Sequence, residues 1–168
     1  MIDYNKLLDL AKETFPELND MIIILKDGER FSCIPINDNH FVITYATLKE
    51  DYYKKNICSY LQDKFGFKDS LKMLSNWEEI FSFFHEIGHI INYNKVYNEE
   101  VYYNNYKNST YVNYIQAFRE YRSIPTEELS DMIALEIIES SLVKLYMMFN
   151  NQTKEEAIYE ISFWNEVC

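Results

Sequence analysis

Residues 77–91 read WEEIFSFFHEIGHII and contain the pentapeptide His85-Glu86-Ile87-Gly88-His89. Because residues four positions apart lie on one face of an α-helix, the side chains of His85 and His89 can reach the same metal ion. Glu86 lies beside that face, where its carboxylate can take a proton from a metal-bound water molecule. This stretch therefore predicts a helix that carries two zinc ligands and a general base.

A match of this kind is hard to obtain by chance. A random arrangement of the same residues, three of them histidines, would contain roughly 0.006 such matches. Two capping-box pairs just upstream, Ser75 with Glu78 and Asn76 with Glu79, predict where the helix starts. The alternative interpretation is a pair of ordinary core histidines. Apolar residues surround the histidines and indicate a buried helix; they are Ile80, Phe81, Phe83, Phe84, Ile87, Ile90 and Ile91.

Two histidines do not complete a catalytic zinc site, which usually has three protein ligands and one open position. The cysteines are scattered and His40 is the only other histidine, so a carboxylate is the natural third ligand. Helix-start residues at 123–126 precede a segment in which Glu127 and Asp131 lie four apart on one helical face. Glu127 is the predicted ligand. Asp131 is predicted to accept the spare N–H of a zinc-bound histidine and so fix its tautomer.

Two choices stay open at this point. Glu128 competes with Glu127 as the ligand, although the two point about 100° apart around a helix. An acidic first turn that favours the helix dipole would also explain both residues. A hydrolytic site usually needs a further donor for the oxyanion. The candidates for that donor are Tyr114, Tyr121, Arg122 and His40.

HEIGH followed by the Glu127-x-x-x-Asp131 element resembles the glutamate-ligand zincins, and in length and order most resembles the ImmA/IrrE group of cytoplasmic zinc metallopeptidases. The resemblance rests on residues 80–95 and 122–138. It implies an α+β, compact zincin-like fold, in which a small antiparallel or mixed sheet packs on the HExxH helix and further helices follow towards the C-terminus.

The same resemblance implies a Zn²⁺ ion held by His85, His89 and Glu127, with Glu86 as the catalytic base and Asp131 as the partner of a ligating histidine. The implied activity is that of a zinc-dependent endopeptidase. Its implied substrate is an intracellular regulatory protein, such as the repressor of a phage or mobile element.

Length and composition set the expected class of protein. A chain of 168 residues that is 48% hydrophobic can form one sizeable core, so a single domain over residues 1–168 is expected. The apolar runs are too short to cross a membrane, and the N-terminus lacks the pattern of a signal peptide. We therefore expect a cytoplasmic protein without membrane association. Cys33, Cys58 and Cys168 lack metal-site pairing and are expected to be reduced structural thiols.

The net charge of −11 argues against direct nucleic-acid binding, which uses clustered Lys and Arg. It favours a basic protein partner, for which a DNA-binding repressor is one candidate, although the same charge also confers solubility. Two alternatives to proteolysis remain. The protein could be a metal-bound regulatory module that sequesters a repressor or toxin without cleaving it. It could also be an acidic interaction protein in which HEIGH is incidental.

The remaining segments predict the elements around the motif. Residues 3–15 form a helix that ends at Pro16. Residues 21–25 and 31–36 are predicted to form a hairpin around Asp27-Gly28. Residues 40–47 are predicted to form a third strand, which is the candidate edge strand for an extended substrate. A helix over residues 48–65 ends at Gly66. A final helix begins at the capping-box pair Thr153 and Glu156.

The stretch from residue 93 to residue 121 is rich in Tyr and Asn. Its tyrosines could form a substrate-facing flap, because a tyrosine offers apolar area together with a hydroxyl group. The interpretation favoured by its apolar spacing is a packed helical surface.

Overall fold

The computed structural model describes residues 2–47, 51–66, 68–93 and 114–167. Its helices are α1 (Tyr4–Thr14), α2 (Asp51–Phe65), α3 (Asp69–Lys72), α4 (Trp77–Asn92), α5 (Tyr114–Arg122), α6 (Pro125–Phe149) and α7 (Lys154–Val167), with a 3-10 helix at Pro16–Asp20. Its strands are β1 (Ile22–Asp27), β2 (Ser32–Asn37) and β3 (His40–Tyr45). The predicted α+β class is confirmed, and the small sheet is mixed.

Several predicted helix ends are formed by the expected local chemistry. The Asp3 side chain accepts from the backbone N–H groups of the first turn of α1. Gly66, with φ 65°, follows the last residue of α2. At α7 the predicted capping box is present, because Thr153 N–H donates to Glu156 Oε2 at 2.8 Å and Glu156 N–H donates to Thr153 Oγ1 at 3.3 Å.

The start of α4 differs from its prediction in mechanism. The helix begins at Trp77, as expected from the capping residues, but neither predicted capping box carries the cap. Asn76 is the N-cap residue, it adopts the left-handed conformation with φ 59°, and its side chain makes no cap hydrogen bond. Asparagine tolerates this conformation better than most residues, so the chain turns sharply into α4 at this point.

The predicted hairpin between β1 and β2 is wrong, because the strand order is β1-β3-β2. β1 is parallel to β3, and β2 is antiparallel to it. Gly28 does not form a two-residue turn. Its N–H donates to Tyr45 O at 2.9 Å, and a Cβ atom at position 28 would lie 2.1 Å from Thr44 Cγ2. The glycine thus permits close approach to β3, and the hairpin turn lies instead at residues 38–39.

The central position of β3 also corrects the predicted edge strand. Phe41 and Ile43 are 1% and 0% exposed, as expected for a strand covered by neighbours. Among the described strands, β1 and β2 form the two edges, and Pro35 on β2 fits an edge because it lacks an N–H. Four exposed isoleucines lie on these outer strands: Ile22, Ile24, Ile34 and Ile36.

The motif helix α4 lies in the middle of the packing. It contacts α1, α6 and the strands β2 and β3, and the contact with α6 is the most extensive. Ile80, Phe81, Phe83, Phe84 and Ile87 of α4 are fully buried. Burial of this many large apolar side chains fixes the rotation of the helix, and with it the direction of His85 and His89. Within the described part of the chain, no helix is both long enough and apolar enough to cross a membrane.

Candidate metal centre

The two motif histidines project from one face of α4. Their ring centroids are 4.7 Å apart and the ring planes are nearly perpendicular, at 85°. His85 is 4% exposed, whereas the side chain of His89 is 26% exposed. The pair therefore has a buried member and a member at the surface of the site, which leaves one side accessible.

Helix α6 brings Glu127 against both imidazoles. His85 Nε2 lies 3.1 Å from Glu127 Oε2, and His89 Nε2 lies 3.6 Å from Glu127 Oε1. One donor atom from each of the three residues lies within 4.8 Å of the others. Donor atoms bound to zinc at about 2.0–2.2 Å in a tetrahedral site lie roughly 3.4 Å apart. The donor set therefore fits a metal ion, and two histidines with one glutamate is a known set for catalytic zinc.

The competing carboxylate, Glu128, is directed elsewhere. Its Oε2 pairs with Lys64 Nζ at 3.0 Å, on the partly exposed side of α6. Glu127 is 6% exposed and lies with the histidines. The choice that the sequence left open is thus made by the rotation of α6, which turns only the first of the two glutamates inward.

Asp131 lies one turn after Glu127 and contacts the other side of the His85 ring. His85 Nδ1 is 2.8 Å from Asp131 Oδ1, and the aspartate is fully buried. Because a carboxylate only accepts, Nδ1 carries a proton, and Nε2, which faces Glu127, is the atom that can bind a metal once its own proton is released. This is the position in which a tautomer-fixing aspartate was predicted.

Two of the four predicted oxyanion donors lie at the centre. The Tyr121 hydroxyl donates to Glu127 Oε1 at 2.7 Å. Arg122 is 5% exposed, and its NH1 lies 2.6 Å from Asp131 Oδ1. His40 is not a member of the cluster; its Nδ1 lies 2.8 Å from Asn37 Oδ1, near the turn between β2 and β3. Tyr114 begins α5, and its side chain lies outside the described part of the structure.

Glu86 is held between the helix face that carries His85 and His89 and the strand β2. It is 8% exposed, and the backbone N–H of Cys33 on β2 donates to its carboxylate. Burial raises the pKa of Glu86, and Glu127 adds to this, whereas His85, Arg122 and the Cys33 amide oppose it. The net effect is a carboxylate with a raised pKa, as suits a group that must accept a proton and release it again.

The three donor residues strongly shift one another's pKa values. Burial and Arg122 oppose the charged form of His85, but contacts with Asp131 and Glu127 outweigh them and raise its pKa to about 9. Burial and the neighbouring His85 lower the pKa of His89 to about 4. Burial works against ionisation of Glu127, but both histidines and Arg122 overcome it and lower its pKa to about 2. Glu127 is therefore ionised and His89 neutral at pH 7, the forms that bind metal, whereas His85 is protonated and must release a proton when a metal binds.

No protein-family model matches this chain, and the searches of curated proteins and of solved structures find no match either. The family suggested by the HEIGH and Glu127-x-x-x-Asp131 elements therefore stays a prediction.

Three contributors to the centre were not predicted from the sequence. The Ser130 hydroxyl lies 3.2 Å from His89 Nδ1, so it can accept a hydrogen bond from Nδ1–H and so keep His89 Nε2 unprotonated and free for a metal. Gly88 lets α6 approach the motif helix closely, and Cys33 presents its amide to Glu86. Ser130 could have been found from its spacing, because it lies three residues after Glu127 on the same side of a helix. The Cys33 amide has no sequence signal.

The Tyr/Asn-rich stretch over residues 93–121 is described only in part. Residues 114–121 belong to α5, and Phe118 is buried, as the packed-helix prediction expects. Residues 94–113 lie outside the described residues, so neither a flap nor a packed helical surface is tested there. Cys33 and Cys58 are free thiols, and Cys168 also lies outside the described part.

Proposed function

We propose that this protein is a zinc-dependent endopeptidase. The observation that carries the proposal is the convergence of His85, His89 and Glu127 on one point, with Glu86 on the same helix and a sheet edge beside it. A structural zinc site would have a closed set of four protein ligands. The described residues supply three, which suits a site with an open position for water and substrate.

A bound zinc ion would supply Lewis acidity, lowering the pKa of a water molecule and polarising a carbonyl oxygen. Glu86 is the proposed base that takes the proton from that water. Its raised pKa makes it a better acceptor for that proton, and the departing amine, which is the stronger base, can then take the proton from it. Asp131 and Ser130 hold the two histidines through their Nδ1 atoms, so that each presents Nε2 to the metal.

Tyr121 is the proposed donor to the developing oxyanion. Its hydroxyl lies 2.7 Å from Glu127 Oε1, so it reaches the donor set, and the residue is only partly buried. A phenol O–H directed at a carbonyl oxygen stabilises negative charge in the transition state more than in the ground state.

Strand β2 is the proposed docking edge for substrate, in place of the residue 40–47 strand. In an antiparallel pair a residue turns its N–H and C=O to the same side. Because the Cys33 N–H reaches Glu86, the Cys33 carbonyl also faces away from β3. An extended peptide that pairs along this edge would pass beside Glu86, and main-chain hydrogen bonds would hold it there.

An intracellular regulatory protein, such as a basic DNA-binding repressor, is the proposed substrate class. Two observations support it: the resemblance of the two motifs to the ImmA/IrrE group, and the net charge of −11, which attracts a basic partner. The same charge disfavours direct contact with nucleic acid.

The metal content of the purified protein tests the first half of the proposal. We expect about one zinc per chain by mass spectrometry in the wild type, and loss of zinc in His85→Ala and Glu127→Ala. Glu128→Ala is the matched control and should keep the metal, because Glu128 pairs with Lys64. A wild-type protein that takes up no zinc when zinc is supplied would refute the proposal.

Hydrolysis tests the second half. The zinc-loaded protein is incubated with casein and with a peptide library, and new N-termini are identified by mass spectrometry. Glu86→Gln should keep zinc and lose cleavage. A protein that binds zinc and a repressor but cuts neither casein, the library nor the repressor would instead be the sequestering module. Partner binding without zinc that weakens steeply with salt would indicate the acidic interaction protein.

A further inference from the structure

Arg122 is a buried cation at the end of α5, beside the metal centre. The residue is 5% exposed, and its NH1 donates to Asp131 Oδ1 at 2.6 Å. The same carboxylate oxygen accepts from His85 Nδ1 at 2.8 Å. A single oxygen atom of Asp131 is therefore shared between the arginine and the metal-binding histidine.

The guanidinium group is also placed against the imidazole ring itself. Arg122 NH1 lies 3.0 Å from His85 Nδ1 and 3.3 Å from His85 Nε2. Nearly equal distances to both nitrogens place NH1 over the ring, since an in-plane donor would be aligned with only one of them. The cation therefore restricts the tilt of the ring, while the aspartate restricts its rotation.

Arg122 is itself held at its side chain and at its backbone. Its guanidinium carbon lies 5.6 Å from the centre of the Phe118 ring, within range of a cation–π contact. Its backbone carbonyl accepts from the Tyr60 hydroxyl at 3.1 Å. α2 and α5 thus contribute to a metal centre whose ligands all come from α4 and α6.

A buried carboxylate is costly unless a cation or several hydrogen bonds compensate it. Asp131 is 0% exposed and its Oδ2 has no hydrogen-bond partner among the described residues. Arginine is suited to the task because it stays charged even when it is buried. Removal of the arginine would leave the buried aspartate without its cation and free to reorient, and a reoriented aspartate would no longer hold the His85 ring.

We propose that Arg122 is a positioning residue of the metal centre, which holds Asp131 and the His85 ring in the metal-binding arrangement and thereby sets the affinity for zinc. The proposal rests on the zinc site proposed above. It assigns Arg122 a role on the metal, and not the role of oxyanion donor to substrate that the sequence left open.

The test is a double-mutant cycle with the metal alone as the probe. The zinc dissociation constants of wild type, Arg122→Met, Asp131→Asn and the double variant are measured by competition with a chromophoric chelator at one pH. We expect each single variant to weaken zinc binding by about 10- to 100-fold. The loss in the double variant should be smaller than the product of the two single losses, because Arg122 acts in part through that aspartate. The absorption spectrum of the cobalt-substituted protein should change in Arg122→Met.

Arg119→Met is the matched control, since Arg119 is on the same helix and pairs with exposed Asp63; its zinc affinity should equal that of the wild type. If Arg122→Met does not fold, the double variant, which removes both buried charges, and Arg122→Lys carry the test. Lysine retains the charge without the planar fork, so it should restore part of the affinity.

Three results would overturn the positioning role. One is a folded Arg122→Met protein with wild-type zinc affinity, and loss of hydrolysis in that protein would point to the oxyanion role instead. Another is a double variant whose loss equals the product of the two single losses. The third is a wild-type protein that binds no zinc, which refutes the proposed function as well, whereas the first two leave that function standing.

Discussion

Gly88 and Ser130 bring the backbones of α4 and α6 into direct contact at the metal centre. A Cβ atom at position 88 would lie 2.6 Å from Ser130 Cα and 2.8 Å from Ser130 O. Both are backbone atoms of a helix, so no side chain can move to make room. The glycine of HEIGH is therefore required by packing, and this close approach lets Glu127 reach the two histidines.

Gly88→Ala should destabilise the protein, although alanine normally stabilises a helix interior relative to glycine. We expect the overpacking to cost about 1–3 kcal/mol, measured by urea unfolding, and zinc affinity to fall as α6 is displaced. Gly66→Ala is the comparison. Position 66 has open space but φ 65°, so alanine should cost roughly 1 kcal/mol without a change in zinc affinity. A stabilised Gly88→Ala protein would contradict the observed packing.

Ser130→Ala should weaken zinc binding by roughly 10-fold, because it removes the acceptor at 3.2 Å from His89 Nδ1. The substitution keeps the Cβ atom, so the contact with Gly88 is preserved. Ser141→Ala tests a buried serine further along the same helix and should leave zinc affinity unchanged. Zinc affinities are measured by chelator competition. If Ser130→Ala binds zinc as tightly as Ser141→Ala, His89 does not depend on the Ser130 hydroxyl.

Tyr121→Phe should lower kcat by roughly 10²-fold on a verified substrate, with KM nearly unchanged. Phenylalanine keeps the ring and removes only the hydroxyl that lies 2.7 Å from Glu127 Oε1. Zinc should remain bound, because the three ligands are intact. Tyr159→Phe is the control, since that residue is 75% exposed. An unchanged kcat would exclude Tyr121 as the oxyanion donor.

The strand order makes a prediction about stability. Ile43 on the central strand is 0% exposed, whereas Ile34 on β2 is 51% exposed. Ile43→Ala should cost about 2–5 kcal/mol from lost burial and the cavity left behind, and Ile34→Ala should change stability by less than about 0.5 kcal/mol. Chemical denaturation of the two variants measures both values. Similar costs would be incompatible with an order in which β3 lies between β1 and β2.

Cys33 should resist alkylation in the folded protein. Burial raises the pKa of its thiol to about 12, with a contribution from the nearby Glu86 carboxylate, and only the thiolate reacts rapidly. Iodoacetamide at pH 8 should label Cys33 far more slowly in native protein than in urea, as followed by peptide mass mapping. The thiol of the unfolded chain ionises at a lower pH than the buried thiol of the folded chain. The free energy of unfolding should therefore fall as the pH rises above about 9. Rapid native labelling would contradict this environment.

The helix-borne features were predictable because they depend on spacing along a single element. The periodicity of residues 77–91 predicts the buried α4, and four-residue spacing places Glu127 and Asp131 on one face of α6. The end of α2 at Gly66 and the capping box of α7 are also local, since the residues involved lie within a few positions of one another.

The sheet could not be predicted in the same way. Asp27-Gly28 carries a strong local turn signal, yet Gly28 serves the approach of β1 to Thr44, which lies well away in the sequence. Strand order depends on which strand lies between the other two, and that is decided by how the strands pack in the assembled core. The edge strand assigned to substrate was therefore the wrong one.

The sequence by itself determined that two histidines share one helical face with a glutamate beside it, and that Glu127 and Asp131 share one face of a second helix, because helical geometry repeats every 3.6 residues whatever surrounds it. Tertiary packing alone decided that Glu127 and not Glu128 turns inward, and that Arg122 reaches Asp131. These outcomes depend on the rotation and distance of helices packed against one another. The contact between Gly88 and Ser130 sets both quantities at the metal centre.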